Sequence, residues 1–244
     1  MCTIGYLQDF NLIFKNRDKP GKIKEILIFE KNFIACRTES DLYYSWGLNR
    51  NGCAFVSAAI NSSGWTDLIY KGKSSEAQEK YIKENDGLEN PMHLVSKMLP
   101  DVRSVEEWVK EIERTSFPSL GYNIIVADRT GAYLIEIYGG DRRLRSLKGR
   151  EAVTNHFQYL SHGPKKENDY PSTFRRFNYA NEGVSKLTVK NEIFDLLNPS
   201  KGKKIKKIWR NGPFWTISSS VLDLENLMVH RSLNCSDDYQ LHSF

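Results

Sequence analysis

No run in this sequence stays apolar long enough to cross a bilayer, because nothing approaches the ~18 residues that a helical span requires. The start lacks the pattern of a secretory signal: there is no basic opening segment, and Asp9 and Asn11 interrupt the apolar stretch between Met1 and Phe14. The expectation is a cytosolic protein. Cysteine is scarce, limited to Cys2, Cys36, Cys53 and Cys235, with no C-x-x-C spacing. That excludes a zinc ribbon and a dithiol redox motif, and in the cytosol all four should be reduced. The five histidines show no metal-ligand spacing, so neither a metal nor another cofactor is expected. A nucleic-acid-binding motif is also missing. The formal charge is +5, but much of it sits in one run, Lys201, Lys203, Lys204, Lys206, Lys207 and Arg210. Residues 199–211 therefore read as a mobile, solvated basic segment, and no nucleic-acid partner is expected.

What is present suits one folded unit. The 244 residues are 40% hydrophobic and 27% charged, an ordinary balance for a globular chain able to bury a substantial core. A single domain over residues 2–244 is expected, with a homo-oligomer allowed but not required. Strand-like runs cover Thr3 to Leu7, Asn11 to Phe14, Ile23 to Phe29, Asn32 to Cys36, Leu42 to Trp46 and Cys53 to Ile60, the last two bracketing a turn at Gly47 to Gly52. From about Ser75 to Thr115 the period becomes helical, with a capping-box spacing at Ser104 and Glu107. Strands return at Tyr122 to Ala127, Ala132 to Tyr138 and Ala152 to Phe157. Helical patterns follow at Ser172 to Ala180 and Val189 to Leu197, and Phe214 to Leu222 with Leu227 to Ser232 forms a closing hairpin. Helices are grouped between the strands rather than alternating with them, which argues for an α+β chain with mainly antiparallel sheets.

Chemistry is suggested first at Met1-Cys2-Thr3. Methionine removal is efficient before a small residue, and it leaves Cys2 carrying both a thiol and the chain's own α-amine. That amine titrates near ~7.7–8.0, which suits a proton acceptor at neutral pH. Cys36 and Cys53 sit in apolar strand-like runs and read as buried small hydrophobes. Further along, Lys15-Asn16-Arg17-Asp18 gathers cations and a carboxylate in what reads as a turn. Ala59-Ile60-Asn61-Ser62-Ser63-Gly64 reads as a polar loop. Val153-Thr154-Asn155-His156 is a polar pair leaving a strand, and Ser172-Thr173-Phe174-Arg175-Arg176-Phe177 opens a helix with two arginines. His156 could form a dyad with Cys2, although the terminal amine already supplies a base.

In this order the motifs resemble the cysteine-type N-terminal nucleophile hydrolases. That group includes choloylglycine hydrolase, penicillin V acylase and the acyl-coenzyme A:6-aminopenicillanic acid acyltransferase relatives (the peptidase C45-like family). The resemblance implies a four-layer αββα sandwich. It also implies cleavage or transfer of a linear, non-peptide N-acyl bond through an acyl-thioester on Cys2, acting on a small-molecule N-acyl amide. By the same resemblance Asp18 would hold the nucleophile's amine and Asn61 would donate to the oxyanion. Asn155 would lie at the nucleophile, and Arg176 near it with Arg175 as the adjacent alternative. Lys15 occupies a position usually held by arginine, so either Lys15 or Arg17 would supply the cation. Trp65 is the candidate for an apolar acyl pocket. Two other readings remain: a ligand-binding relative that does not cleave, suggested by Lys15, and a basic interaction protein using Lys201 to Arg210.

Overall fold

The computed structural model describes residues 2–20, 23–60, 73–84, 86–163, 165, 167, 171–197, 208, 214–233 and 238–244. Asn61, Trp65, Cys235 and all of 199–211 except Ile208 lie outside the described residues.

β1 (Cys2–Leu7) passes through a short 3-10 turn at Gln8–Phe10 into β2 (Leu12–Pro20). Asn11 makes the corner in the left-handed region (φ 51), a conformation asparagine tolerates better than most side chains. β3 (Glu25–Phe29), β4 (Phe33–Thr38), β5 (Trp46–Asn49) and β6 (Ala54–Ala59) follow. Three helices come next: α1 (Ser74–Glu84), α2 (Met92–Met98) and α3 (Val105–Arg114). The expected cap on α3 is present, with Ser104 Oγ accepting from the Glu107 backbone N–H at 3.3 Å. The chain then adds β7 (Ser119–Asp128), β8 (Gly131–Gly139), β9 (Asp141–Leu147) and β10 (Arg150–Val153). It continues with α4 (Pro171–Ser185), α5 (Glu192–Leu197), β11 (Phe214–Asp223), β12 (Met228–Leu233) and β13 (Gln240–Ser243).

Two antiparallel sheets result. One has six strands in the order β10-β1-β2-β11-β12-β13, and the other has seven, β3 through β9 in sequence. Period-2 alternation sorts their side chains into three cores. Cys2, Ile4, Tyr6 and Ile13 from the first sheet meet Ile34, Trp46, Val56 and Ile125 from the second. The other face of the seven-stranded sheet, with Phe33, Phe55, Ile124 and Val126, packs on Met92, Val95, Trp108 and Ile112 of α2 and α3. The other face of the six-stranded sheet, with Leu12, Phe14 and Val221, packs on Ala180, Val184, Ile193 and Leu197 of α4 and α5. The layers are therefore helix, sheet, sheet, helix, as the αββα expectation had it. Close approach within this stack fixes Gly5, where a Cβ would run into the Phe14 ring and the Glu151 carbonyl.

Three local readings change, and one is the strand expected over Ala152 to Phe157: β10 ends at Val153, and residues 154–157 leave the sheet. Lys15 to Asp18 is not a turn but the middle of β2, paired with β1 on one side and β11 on the other. Its polar composition is compatible with a central strand because each charge has a buried partner, as described below. Leu42 to Ser45 is likewise not a strand, and β5 instead begins at Trp46. The Tyr44 backbone N–H is taken by Ser96 Oγ (2.8 Å) of α2, and Leu42 is 84% exposed. The turn is shortened to Arg50–Gly52, with Gly52 at φ 82. Asn49 holds it closed by accepting from the Cys53 N–H and donating to the Leu99 and Val102 carbonyls.

Among the described residues no helix is long and apolar enough to cross a membrane, and no group of three His, Cys, Asp or Glu side chains is arranged to hold a metal. Ile208, from the basic segment, is buried with the α4–α5 core.

Candidate active site

β2 distributes its charges by alternation. Lys15 and Arg17 lie on the face turned toward the second sheet, which they share with Cys2, while Asn16 and Asp18 face the helices. In register, Cys2 stands opposite Arg17 and Ile4 opposite Lys15. All four polar side chains of this run are buried, with Asn16 and Asp18 fully enclosed. Burying so many polar groups is tolerable only when they are paired.

Lys15 reaches across to the seven-stranded sheet. Its Nζ donates to the Ser45 carbonyl at 3.0 Å and the Ser57 carbonyl at 2.5 Å, with Ser57 Oγ at 3.4 Å. Burial lowers its pKa to about 8 against the opposing pull of Cys2. Arg17 is bound by two carboxylates, Glu25 at 2.7 Å and Asp41 at 3.1 Å. Glu25 also binds Arg231 at 2.7 Å, making a buried Arg–Glu–Arg triad that joins β2, β3 and β12. Burial works against the Glu25 carboxylate, but Arg17 and Arg231 outweigh it and push its pKa down to about 2.

On the opposite side, α4 brings Arg176 to the strand end. Its Nη1 donates to the Cys2 carbonyl at 2.8 Å and to Thr3 Oγ1 at 3.0 Å, and Nη2 donates to Asn155 Oδ1 at 2.9 Å. The same Asn155 Oδ1 accepts from the Cys2 nitrogen at 2.8 Å, while Asn155 Nδ2 donates to the Ala59 carbonyl at 2.6 Å. Asp18 Oδ1 accepts from Thr216 Oγ1 at 2.7 Å, and Oδ2 lies 3.7 Å from Arg176. β11 carries an irregularity between Thr216 and Ser218, opposite Arg17 and Asp18. It brings Thr216, rather than Ile217, opposite Asp18.

Electrostatics single out one thiol. Burial opposes the Cys2 thiolate, but Lys15, the chain's amino terminus and, least, Arg17 together outweigh burial and Asp18, so its pKa lies below the usual thiol value. Cys36 and Cys53 go the other way, each pushed up to about 12, chiefly by burial. A thiol whose ionisation is eased, with its own nitrogen held by one side chain and its carbonyl by another, can attack a polarised carbonyl.

The structure thus brings together Cys2, Lys15, Arg17, Asp18, Asn155 and Arg176. Of the two adjacent arginines, Arg176 is in the cluster, whereas Arg175 faces solvent and pairs with Glu167 at 3.1 Å. Of the two candidate cations, Lys15 acts on the Cys2 thiol more strongly than Arg17 does. Asn61 and Trp65 lie outside the described residues. His156 is occupied elsewhere: its Nδ1 lies 3.1 Å from Thr154 Oγ1 and 3.3 Å from Thr173 Oγ1, and its ring stacks on Phe174 at 4.2 Å. Sequence reasoning passed over Thr173, whose Oγ1 accepts from the Asn155 N–H at 2.9 Å. It also passed over Ser57, Glu25 and Thr216. The available signal was strand alternation through Lys15 to Asp18, which would have demanded a buried partner for each charge.

His156 yields a prediction. Burial, then Arg176 and Lys165, lower its pKa to about 4 from the ordinary 6.5. Between those values the unfolded chain binds more protons than the folded one, so stability falls as pH drops through that window. The expected loss is about 3 kcal/mol. Urea midpoints at pH 7 and pH 4 should show this loss in the wild type and a smaller one in His156→Gln.

Comparison with solved structures shows the same fold at low identity. A mutant conjugated bile acid hydrolase from Clostridium perfringens is 12% identical, with a TM-score of 0.57 over 100% of this chain and 92% of that one. Penicillin V acylase from Agrobacterium tumefaciens is 13% identical, with a TM-score of 0.58 over 100% and 86%. The Caenorhabditis elegans ortholog of N-acylethanolamine-hydrolyzing acid amidase is 12% identical, with a TM-score of 0.57 over 92% and 93%. No curated protein sequence matches the chain. A sequence model of one family does match, across most of its length. The chain belongs to the acyl-coenzyme A:6-aminopenicillanic acid acyl-transferase family, whose model covers residues 11–236.

Proposed function

We propose that this protein is an amide hydrolase or acyltransferase acting on linear, non-peptide N-acyl bonds, with Cys2 as its N-terminal nucleophile once Met1 is removed. The observation that carries this reading is the setting of Cys2: its nitrogen lies 2.8 Å from Asn155 Oδ1 and its carbonyl 2.8 Å from Arg176, and against burial Lys15 and the amino terminus lower its thiol pKa while burial raises those of the other two described cysteines.

Met1 removal turns the Cys2 nitrogen into an α-amine beside its own sulfur. Asn155 Oδ1, already 2.8 Å from that nitrogen, orients it. The amine gains N–H bonds that the peptide nitrogen lacks, and Asp18, steadied by Thr216, is the acceptor assigned to one of them. In the reaction the thiol proton passes to the amine and the sulfur attacks the acyl carbonyl. Negative charge develops on the carbonyl oxygen, where Asn61 is the assigned donor, and a single preorganised donor of this kind is worth about 10²–10³-fold in rate. Collapse sends the proton to the departing amine and leaves an acyl-thioester on Cys2. Water then completes hydrolysis, or a second amine completes transfer. The names of the structural neighbours (a conjugated bile acid hydrolase, an acylase and an N-acylethanolamine-hydrolyzing amidase) support N-acyl amides as the substrate class to test.

The non-cleaving alternative drew on Lys15 standing where arginine is usual. An ammonium is a point charge rather than a planar fork. Here that shape fits, because Lys15 bonds the Ser45 carbonyl just before β5 and the Ser57 carbonyl of β6 while its charge favours the Cys2 thiolate.

A panel of N-acyl amides, with amine release followed by fluorescence, tests the activity. Turnover of at least one member that is abolished by alkylating Cys2 supports it, and turnover that survives complete alkylation refutes it. On an active substrate, Lys15→Met should move the acid limb of the kcat/KM profile to higher pH. The rate at neutral pH should fall about tenfold for each unit by which the thiol pKa rises. An unmoved limb would remove Lys15 from the account.

A further inference from the structure

Asn155 leaves β10 just after Val153, where the six-stranded sheet gives up its last ladder bonds to the chain. Residues 154–160 are then held from two sides: Thr173 of α4 takes the Asn155 N–H and the Thr154 hydroxyl, and the seven-stranded sheet supplies the rest. Asn123 of β7 and Glu136 of β8 are direct cross-strand partners, and both are fully buried. Asn123 Nδ2 donates to the Thr154 and His156 carbonyls, each at 2.9 Å, so it grips the backbone on both sides of Asn155. The Glu136 carboxylate accepts from three consecutive backbone N–H groups, Gln158 at 2.6 Å, Tyr159 at 2.9 Å and Leu160 at 2.8 Å. Two adjacent side chains thus supply five hydrogen bonds to one seven-residue segment.

The chemistry of each side chain matches its task. Only an acceptor-only group with two oxygens can satisfy three converging N–H donors, and a glutamine in its place would aim an NH₂ at one of them. Two carbonyls facing one point need an NH₂, and an aspartate at position 123 would repel both. Neither residue lies in a polar stretch: Asn123 interrupts Tyr122 to Ala127, and Glu136 stands between Ile135 and Ile137. Each polar group is placed where apolar packing would otherwise be favoured.

We propose that Asn123 and Glu136 are positioning residues that brace the 154–160 segment from the seven-stranded sheet, and so set the Asn155 side chain between the Cys2 nitrogen and Arg176. Neither touches the reacting atoms; they act through Asn155. The inference rests on the Cys2 reading for its functional consequence, but the brace itself can be measured without turnover.

The test combines kinetics with amide hydrogen exchange on the full chain. Glu136→Gln, assayed where it is fully folded, should lower kcat about 100-fold and leave KM little changed. The amides of residues 154–160 should exchange faster while those of β7 and β8 do not. The double variant Glu136→Gln with Asn155→Ala should be no slower than Asn155→Ala alone, which a general loss of stability would not produce. Wild-type kcat in Glu136→Gln, or losses that multiply in the double variant, would overturn the proposal. Should Glu136→Gln fail to fold, Asn123→Ala removes two donors and carries the same expectations. Should the wild-type protein cleave no amide, the Cys2 reading falls by itself. Fast exchange at 154–160 would then still support the brace, and wild-type exchange there would overturn it.

Discussion

Replacing Cys2 with alanine should reduce amide turnover by about 10⁴-fold or more, the scale seen when a covalent nucleophile is removed. The fold should survive. Cys2 fills a small place between the sheets, and its backbone bonds to Asn155 and Arg176 do not involve the sulfur. Alanine also keeps position 2 small enough for Met1 to be removed, so the variant tests the thiol and not the processing. Cys2→Ser retains the shape and the terminal amine but offers a hydroxyl, a far weaker nucleophile near neutral pH, and should be largely impaired as well. Initial rates of amine release, with circular dichroism as a folding control, decide the point. Cys36→Ser and Cys53→Ser should leave kcat near the wild-type value, because burial drives both thiols away from the reactive form.

The largest effect on stability should come from Glu25. Its carboxylate binds Arg17 and Arg231, and the three side chains are almost wholly enclosed. Removing one member of a buried ionic group leaves uncompensated charge behind, so Glu25→Ala should destabilise the protein by about 3–5 kcal/mol. That is a large share of a typical domain's total stability. The sign for pH follows from the same carboxylate. Its folded pKa of about 2 lies below the ordinary 4.5, so its stabilisation is present at neutral pH and is lost as pH falls through that interval. Urea unfolding of wild type and Glu25→Ala at pH 7 measures the difference. A midpoint unchanged from wild type would mean that Arg17 and Arg231 find other partners. Because Arg17 also favours the Cys2 thiolate, the triad ties part of the site's electrostatics to the packing of the two sheets.

Much of this arrangement was legible from local pattern. Hairpins such as β1–β2 and β11–β12 follow from alternation and turn residues, and the α3 cap follows from Ser104 and Glu107. Cys2 stands out by its position behind Met1, while Asp18, Asn155 and Arg176 come from a resemblance spread along the chain, and the structure gathers all four around one strand end. β2 misled because charged residues usually mark turns. Its charges are instead enclosed by partners as distant as Arg231 and Ser57, which no local window contains. β9, Asp141–Leu147, and β13, Gln240–Ser243, were missed for a related reason. Both are edge strands with exposed polar faces and little apolar alternation to read. Choosing Arg176 over Arg175 needed the helix face, which one hundred degrees of rotation per residue decides. The Asn123–Glu136 brace depends on pairing between β7 and β8 and on a segment that enters from the other sheet.

The central claim is that Cys2, as the amino-terminal residue, carries the acyl group. The most direct measurement is intact-mass and peptide mapping of protein quenched in acid during turnover of an active N-acyl amide. The expected result is protein lacking Met1, bearing one acyl group on the Cys2 sulfur that hydroxylamine removes. Active protein that retains Met1, or an acyl group found on another residue while Cys2 stays free, would contradict it.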